Sequence, residues 1–175
     1  MHILEHGQGQ EKTLLFLPCT AEPVWAFEKT VALLAQSWHV FQVVYDGHEP
    51  SYPGDFTSVE QTVDEITDYL RAQGVTCLDA AYGCSLGGSF VGLLAARRNI
   101  HMDYGILGSS DLDQSSKFAA RLQTDLLVPL IYPLVRDGKF ASRFLQRRLE
   151  KRAAEMGDYV NAFMGMFGGA RPYVT

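Results

Sequence analysis

The sequence predicts an α/β fold, a mostly parallel sheet of about five strands flanked by helices. Short runs rich in apolar and β-branched residues recur between Thr13 and Gly108, and segments with helical periodicity separate them. The chain has 175 residues, of which 47% are hydrophobic and 20% charged. This composition is typical of a globular protein, and the length suffices for one domain with a substantial core.

The predicted strands are of two kinds. Four runs suit parallel strands covered on both faces: TLLFLP (13–18), HVFQVVY (39–45), TCLDAAYG (76–83) and MDYGILG (102–108). A fifth run, HILEH (2–6), suits an antiparallel edge strand, because the turn residues of GQGQ would let it pair with the next strand.

Two predicted helices lie between these strands. Each has one apolar stripe, formed by Val24, Phe27, Val31 and Leu34 in the first and by Val59, Val63, Ile66 and Leu70 in the second. For the second helix, Thr57 with Glu60 predicts a capping box at its start, and Gly74 predicts its end.

The character of the chain changes after Asp111. From Leu112 onward only helical patterns remain, so we expect residues 1–111 to form the α/β core and residues 112–175 a helical, lid-like segment. The longest apolar run, LLVPLIYPLV (126–135), contains two prolines and is about half as long as a membrane-spanning helix. We therefore expect no membrane span.

The stretch GCSLG, Gly83 to Gly87, matches the pattern G-x-S-x-G. It follows the third parallel strand and leads without a break into LGGSFVGLLAARR, so Ser85 falls at a strand-to-helix junction, the context that a nucleophile elbow requires. Gly83 and Gly87 have a mechanical reason to be glycine, because a sharp turn of this kind leaves no room for Cβ atoms.

In these features the chain resembles the α/β-hydrolase superfamily, with serine esterase- or lipase-like members. The resemblance covers roughly residues 13–111, in the order FLPCTAEP, YDGHEPSYP, YGCSLGG and YGILGSS, and the family's last strands and catalytic histidine are not visible, as in a truncated member. It implies that Ser85 is the nucleophile. It also implies that the oxyanion donors are the backbone N–H of Leu86 and that of Thr20 or Cys19.

The expected base and acid cannot both be assigned. The family order is serine, acid, histidine, and no histidine follows His101, which precedes a strand and is predicted at the opposite end of the sheet. His48 is a possible base, although a histidine in an exposed surface turn is the favoured interpretation of DGHEP. Asp111 is a possible acid, although the N-cap of the next helix is favoured.

Composition limits cofactors and partners. The formal charge of −5 argues against a nucleic-acid partner. The three cysteines have no CxxC spacing, so we predict neither a disulfide nor a metal site. We also predict no cofactor. No secretory signal is visible in the first residues, so we expect a cytoplasmic protein with reduced thiols. The resemblance implies that the strands ending at Cys19 and Cys84 are neighbours, so these two residues should lie close together.

Three functions remain open. The favoured one is hydrolysis of a small carboxylic ester or thioester through an acyl-enzyme on Ser85, incomplete or weak in this chain. The alternative is a catalytically inactive binding or scaffold protein. A flavodoxin-like nucleotide binder would need a glycine-rich turn after the first parallel strand, where LPCTAEP has none.

An exposed sheet edge near Gly108 and the apolar terminal helices also predict a homo-oligomer.

Overall fold

The computed structural model describes residues 1–20, 22–49, 51–52 and 54–110, together with residues 116, 118, 121–122 and 124–129. Most of the lid-like segment lies outside these residues. Asp111 and the predicted boundary between residues 111 and 112 lie outside them as well. The division into a core and a lid therefore stays a prediction. Among the described helices, none is long and apolar enough to cross a membrane.

Within the described residues, five strands form one mostly parallel sheet. They are β1 (His2–His6), β2 (Thr13–Leu17), β3 (His39–Val44), β4 (Cys77–Cys84) and β5 (His101–Gly108). Their order across the sheet is β1-β3-β2-β4-β5, with β1 antiparallel to β3 and the other neighbours parallel. All five predicted strands are present, with ends displaced by at most one residue.

The predicted pairing of β1 with the next strand is wrong. The antiparallel partner of β1 is β3, in a register that places His2 opposite Val44 and His6 opposite Val40. The physical reason is that β2 is already paired on both sides, by β3 and by β4. β1 pairs instead with the outer edge of β3.

Helices cover both faces of the sheet. A short 3₁₀ turn (Val24–Phe27) leads into α1 (Glu28–Leu34), followed by α2 (Val59–Ala72) and α3 (Leu86–Arg97). Alternate residues of β2 point to opposite faces, as the pleat requires. Leu14 and Phe16 pack in one buried cluster with Val31 of α1, whereas Leu15 and Leu17 pack in the other with residues of α2 and α3.

The cap of α2 lies one residue later than predicted. Ser58, not Thr57, is the N-cap, and its Oγ accepts a hydrogen bond of 3.1 Å from the backbone N–H of Gln61. The Ser58 backbone is extended, which suits a capping residue. At the other end Gly74 has φ +76, so the predicted glycine stop is confirmed.

Candidate active site

Ser85 occupies a strained turn between β4 and α3. Its backbone has φ 50 and ψ −114, outside the regions that L-residues favour, and the residue is exposed. Such a conformation costs about 1–3 kcal/mol and persists only when surrounding contacts enforce it. One of these contacts is the hydrogen bond of 2.8 Å from the Ser85 N–H to the carbonyl oxygen of Gly108, at the end of β5.

Three glycines make this turn sterically possible. A Cβ on Gly83 would overlap the backbone carbonyl of Gly87, and a Cβ on Gly87 would overlap the carbonyl oxygen of Leu17. The predicted need for glycine at these two positions is confirmed. Gly88 has the same requirement, because a Cβ there would overlap the hydroxyl of Ser110.

The loop after β2 lies directly against this turn. The carbonyl oxygen of Pro18 would be 2.8 Å from a Cβ on Gly87, so the strand end and the first turn of α3 are in close contact. The hydroxyl of Tyr45, a residue with only 1% exposure, donates a hydrogen bond of 3.0 Å to the same Pro18 oxygen. The loop is therefore anchored beside Ser85 at its first residue.

The predicted oxyanion donors differ in availability. Leu86 is the first residue of α3, so no carbonyl of that helix can accept from its N–H. Within the described part of the chain, the N–H groups of Leu86 and Thr20 have no hydrogen-bond partner. The N–H of Cys19, in contrast, donates to the carboxylate of Glu22 at 2.8 Å. Of the three predicted donors, only the N–H of Cys19 is therefore occupied among the described residues.

Glu22 was not identified from the sequence. It is the only acidic residue in LPCTAEP and follows Cys19 by three positions, which was the available signal. Burial is the main reason why the pKa of the Cys19 thiol is raised, and the neighbouring Cys84 thiol and the Glu22 carboxylate raise it further. A negative charge thus stands beside one of the candidate donors.

The thiols of Cys19 and Cys84 interact, so the predicted proximity of these two residues is confirmed. It follows from the parallel pairing of β2 with β4, in which Leu17 stands opposite Gly83. Both cysteines are free. Because Cys84 precedes Ser85, this contact joins the loop after β2 to the turn at Ser85.

His48 is buried, and the favoured interpretation as an exposed turn histidine is wrong. Only 7% of the residue is accessible, because its ring packs against the rings of Tyr45 and Phe56, with centroids 5.3 and 5.8 Å away. Its Nδ1 lies 3.0 Å from the carbonyl oxygen of Asp46. A carbonyl can only accept, so Nδ1 carries the proton and Nε2 has the free lone pair in the neutral ring. Burial lowers the pKa of His48 and favours this neutral form.

The structure does not bring His48 into hydrogen-bond contact with Ser85. Among the residues described, the Ser85 hydroxyl has no hydrogen-bond partner.

His101 begins β5, at the amino end of the sheet, as predicted. Asp111 lies outside the described residues, but the hydroxyl of its neighbour Ser110 donates a hydrogen bond of 3.2 Å to the carbonyl oxygen of Ser85.

A separate apolar groove lies on the face of the sheet that α1 covers. Its volume is about 500 Å³, and Ser85 is not part of its lining. The lining residues come from β2, β4 and β5, with the α1 region: Leu14, Phe16, Phe27, Thr30, Leu34, Trp38, Ala80, Tyr82, Tyr104 and Ile106. The groove is therefore separate from the turn at Ser85.

No family model matches the chain, and no curated protein matches it. Solved structures do. One is a protein from Desulfitobacterium hafniense assigned to the α/β-hydrolase family, with a TM-score of 0.67 and 15% identity over 98% of this chain and 73% of that one. Another is an enol-lactonase from Burkholderia xenovorans LB400, with a TM-score of 0.64 and 17% identity over 97% of this chain and 63% of that one.

A third is a hydrolase from Pseudomonas aeruginosa PA01, with a TM-score of 0.63 and 18% identity. It too is matched over 97% of this chain, and the chain spans only 63% of its length. At such identities the matches report the fold. Together with the five-stranded sheet and the strained turn at Ser85, they show that this chain has the α/β-hydrolase fold.

Proposed function

We propose that the chain is a serine hydrolase that cleaves a carboxylic ester or thioester through an acyl-enzyme on Ser85. The observation that carries this proposal is the strained and exposed conformation of Ser85, with φ 50, where β4 meets α3. A serine that only connected a strand to a helix would have no need of a positive φ. Strain of this kind is concentrated at functional sites.

The reaction would proceed in two steps. The Oγ of Ser85 attacks the acyl carbon and transfers its proton to a base, while the tetrahedral oxyanion accepts hydrogen bonds from the N–H groups of Leu86 and Thr20. Collapse of this intermediate expels the alcohol or thiol, which takes up the proton. Water then attacks the acyl-enzyme, releasing the acid and restoring the Ser85 hydroxyl.

His48 is the candidate base. A neutral ring with Nδ1–H bonded to the Asp46 carbonyl and a free Nε2 is the protonation state that a general base needs. Asp111 is the candidate acid, because it follows Ser110 in the sequence and the hydroxyl of Ser110 donates to the Ser85 carbonyl oxygen. Because no hydrogen bond joins His48 to Ser85 among the described residues, we expect weak turnover.

The substrate would be a small, uncharged acyl compound. The likeness to an enol-lactonase supports ester chemistry, since a lactone is a cyclic ester. The Cys19 and Cys84 thiols beside the turn are weakly polar, which favours an apolar acyl group over a sugar or a phosphate. The negative charge of Glu22 also disfavours a phosphate.

A fluorophosphonate probe tests this function, because it reacts with activated serines. We expect the full chain to be labelled at Ser85, and Ser85→Ala to be unlabelled. Ser89→Ala, in the same helix, is the matched control and should be labelled like the wild type. A wild-type chain that stays unlabelled, or labelling that survives in Ser85→Ala, would refute the proposal.

A catalytically inactive binding protein is the second candidate. It is favoured by the Ser85 hydroxyl, which lacks a partner in the described structure, and by the carboxylate that occupies the Cys19 N–H. Such a protein would bind acyl compounds saturably and release them unchanged. Binding without labelling of Ser85 and without ester turnover would support this candidate against the enzyme.

A further inference from the structure

Three side chains with metal-binding atoms meet at the amino ends of β4 and β5. Cys77 begins β4 and His101 begins β5, and the two residues are paired in the parallel register. Asp103 completes the group. The Cys77 thiol, a ring nitrogen of His101 and a carboxylate oxygen of Asp103 all lie within 4.8 Å of one another.

A tetrahedral zinc site holds its ligand atoms closer together than this limit of 4.8 Å. With bonds of about 2.0 Å to nitrogen or oxygen and about 2.3 Å to sulfur, ligand atoms around Zn²⁺ are roughly 3.3–3.6 Å apart. The Nε2 of His101 is already 3.1 Å from Oδ1 of Asp103. The His101 side chain is 71% exposed and that of Asp103 is 49% exposed, so side-chain rotation alone can close the group around an ion.

The chemistry of the donors selects the ion. Thiolate, imidazole and carboxylate together are typical zinc ligands, whereas Mg²⁺ and Ca²⁺ require oxygen ligands. A thiolate and a carboxylate also balance the charge of a divalent ion. Asp79 follows Cys77 by two residues on β4, and its carboxylate is held by the backbone N–H and hydroxyl of Thr13 at 2.7 and 2.9 Å.

We propose that Cys77, His101 and Asp103 bind one Zn²⁺ ion, with water as the fourth ligand, and that the ion ties the amino end of β5 to β4. The site lies at the end of the sheet opposite Ser85, so the ion does not act on that residue. The absence of CxxC spacing led to the prediction that the chain has no metal site. The donors come instead from two strands that the sheet brings into register, a proximity that spacing does not reveal.

Cobalt substitution tests the site. We would titrate the reduced full chain, freed of metal by a chelator, with Co²⁺ and record the thiolate-to-cobalt charge-transfer band. We expect this band to saturate at one equivalent and to disappear when Zn²⁺ displaces Co²⁺. Cys77→Ser should abolish the band, and His101→Ala should weaken binding at least about tenfold, since even the partners of metal ligands have effects of that size.

Cys84→Ser is the matched control, because it removes a thiol from the opposite end of the same strand. It should keep the band. Cys77 is exposed, so its replacement by serine should leave the fold intact, which circular dichroism can verify. In addition, Zn²⁺ should raise the Tm of the wild type saturably and should not raise that of Cys77→Ser. No saturable band in the wild type, or a band that survives in Cys77→Ser, would overturn the proposal.

Discussion

The backbone N–H of Cys19 donates a hydrogen bond of 2.8 Å to the carboxylate of Glu22, within the loop that follows β2. Oxyanion donors act by pointing free N–H groups at a developing negative charge. Here one of the candidate donors is occupied, and a fixed negative charge stands beside it. Glu22 therefore opposes the charge that acyl transfer would develop at this loop.

We predict that neutralising Glu22 accelerates the reaction of Ser85. Glu22→Gln keeps an acceptor for the Cys19 N–H but removes the charge, whereas Glu22→Ala also frees the donor. Both should be labelled faster by a fluorophosphonate than the wild type, with a gain in Glu22→Ala of up to about 100-fold, the usual effect of one oxyanion donor. Slower labelling of Glu22→Gln would contradict this electrostatic argument.

The close approach of β2 to α3 makes Gly87 a second test. Alanine in an ordinary helix is more favourable than glycine by about 1 kcal/mol. At Gly87, however, the added Cβ would overlap the carbonyl oxygen of Leu17, a backbone atom that cannot rotate away. We expect Gly87→Ala to lower the free energy of unfolding by about 1–3 kcal/mol, as overpacking does.

Gly105→Ala is the control for this substitution. Its Cβ would lie 3.3 Å from Cγ1 of Val91, the end of a side chain that can move slightly. Urea unfolding should show a much smaller loss for Gly105→Ala than for Gly87→Ala. A stabilised Gly87→Ala would mean that the strand and the helix are further apart than the structure shows.

The pH dependence of labelling tests His48 as the base. Burial lowers the pKa of His48 below its ordinary value of 6.5, so the base is neutral at pH 7 and becomes protonated only in more acidic solution. We expect the labelling rate of the wild type to fall with decreasing pH, with a midpoint below 6.5. The labelling rate of His48→Gln should be at least about 100-fold lower than that of the wild type, the usual effect of losing a general base.

The same residue links stability to pH. Between the lowered pKa of the folded state and 6.5, the unfolded chain binds more protons at this position than the folded chain. The contribution of His48 to stability is therefore complete above 6.5 and decreases as the pH falls. Urea unfolding at several pH values should show this loss in the wild type and not in His48→Gln. A labelling midpoint at or above 6.5 would exclude His48 as the base.

Local patterns predicted what depends on a few neighbouring residues. Each strand was placed to within one residue, because apolar runs bounded by glycine, proline and polar residues mark where a buried strand begins and ends. The turn at Ser85 was recognised because its glycines are needed for contacts within the turn and with the adjoining strand end. The N-cap of α2 was missed by one position because Thr57 and Ser58 can both cap a helix.

The errors concern contacts that no local sequence pattern marks. His48 is buried by Phe56 and Tyr45, which no local pattern places against it. β1 pairs with β3 because β2 has no free edge, a property of the whole sheet. Glu22 is not marked by the sequence, because its partner is a backbone N–H. Cys77 and His101 are neighbours only through strand register.

The exposed apolar side chains of β5 give the last prediction. Tyr104, Ile106 and Leu107 are 71%, 48% and 45% exposed, and β5 is the last strand of the sheet within the residues described. An edge strand with apolar side chains on its surface is a template for pairing with another chain. We therefore predict that the protein associates through β5, most simply as a two-fold dimer in which the two edges meet.

Equilibrium sedimentation should show association at micromolar concentrations that Ile106→Lys abolishes. Leu33→Lys, which changes an equally apolar residue that is 67% exposed on α1, should associate like the wild type. A wild type that stays monomeric at tens of micromolar, or association that persists in Ile106→Lys, would show that this edge is not an interface.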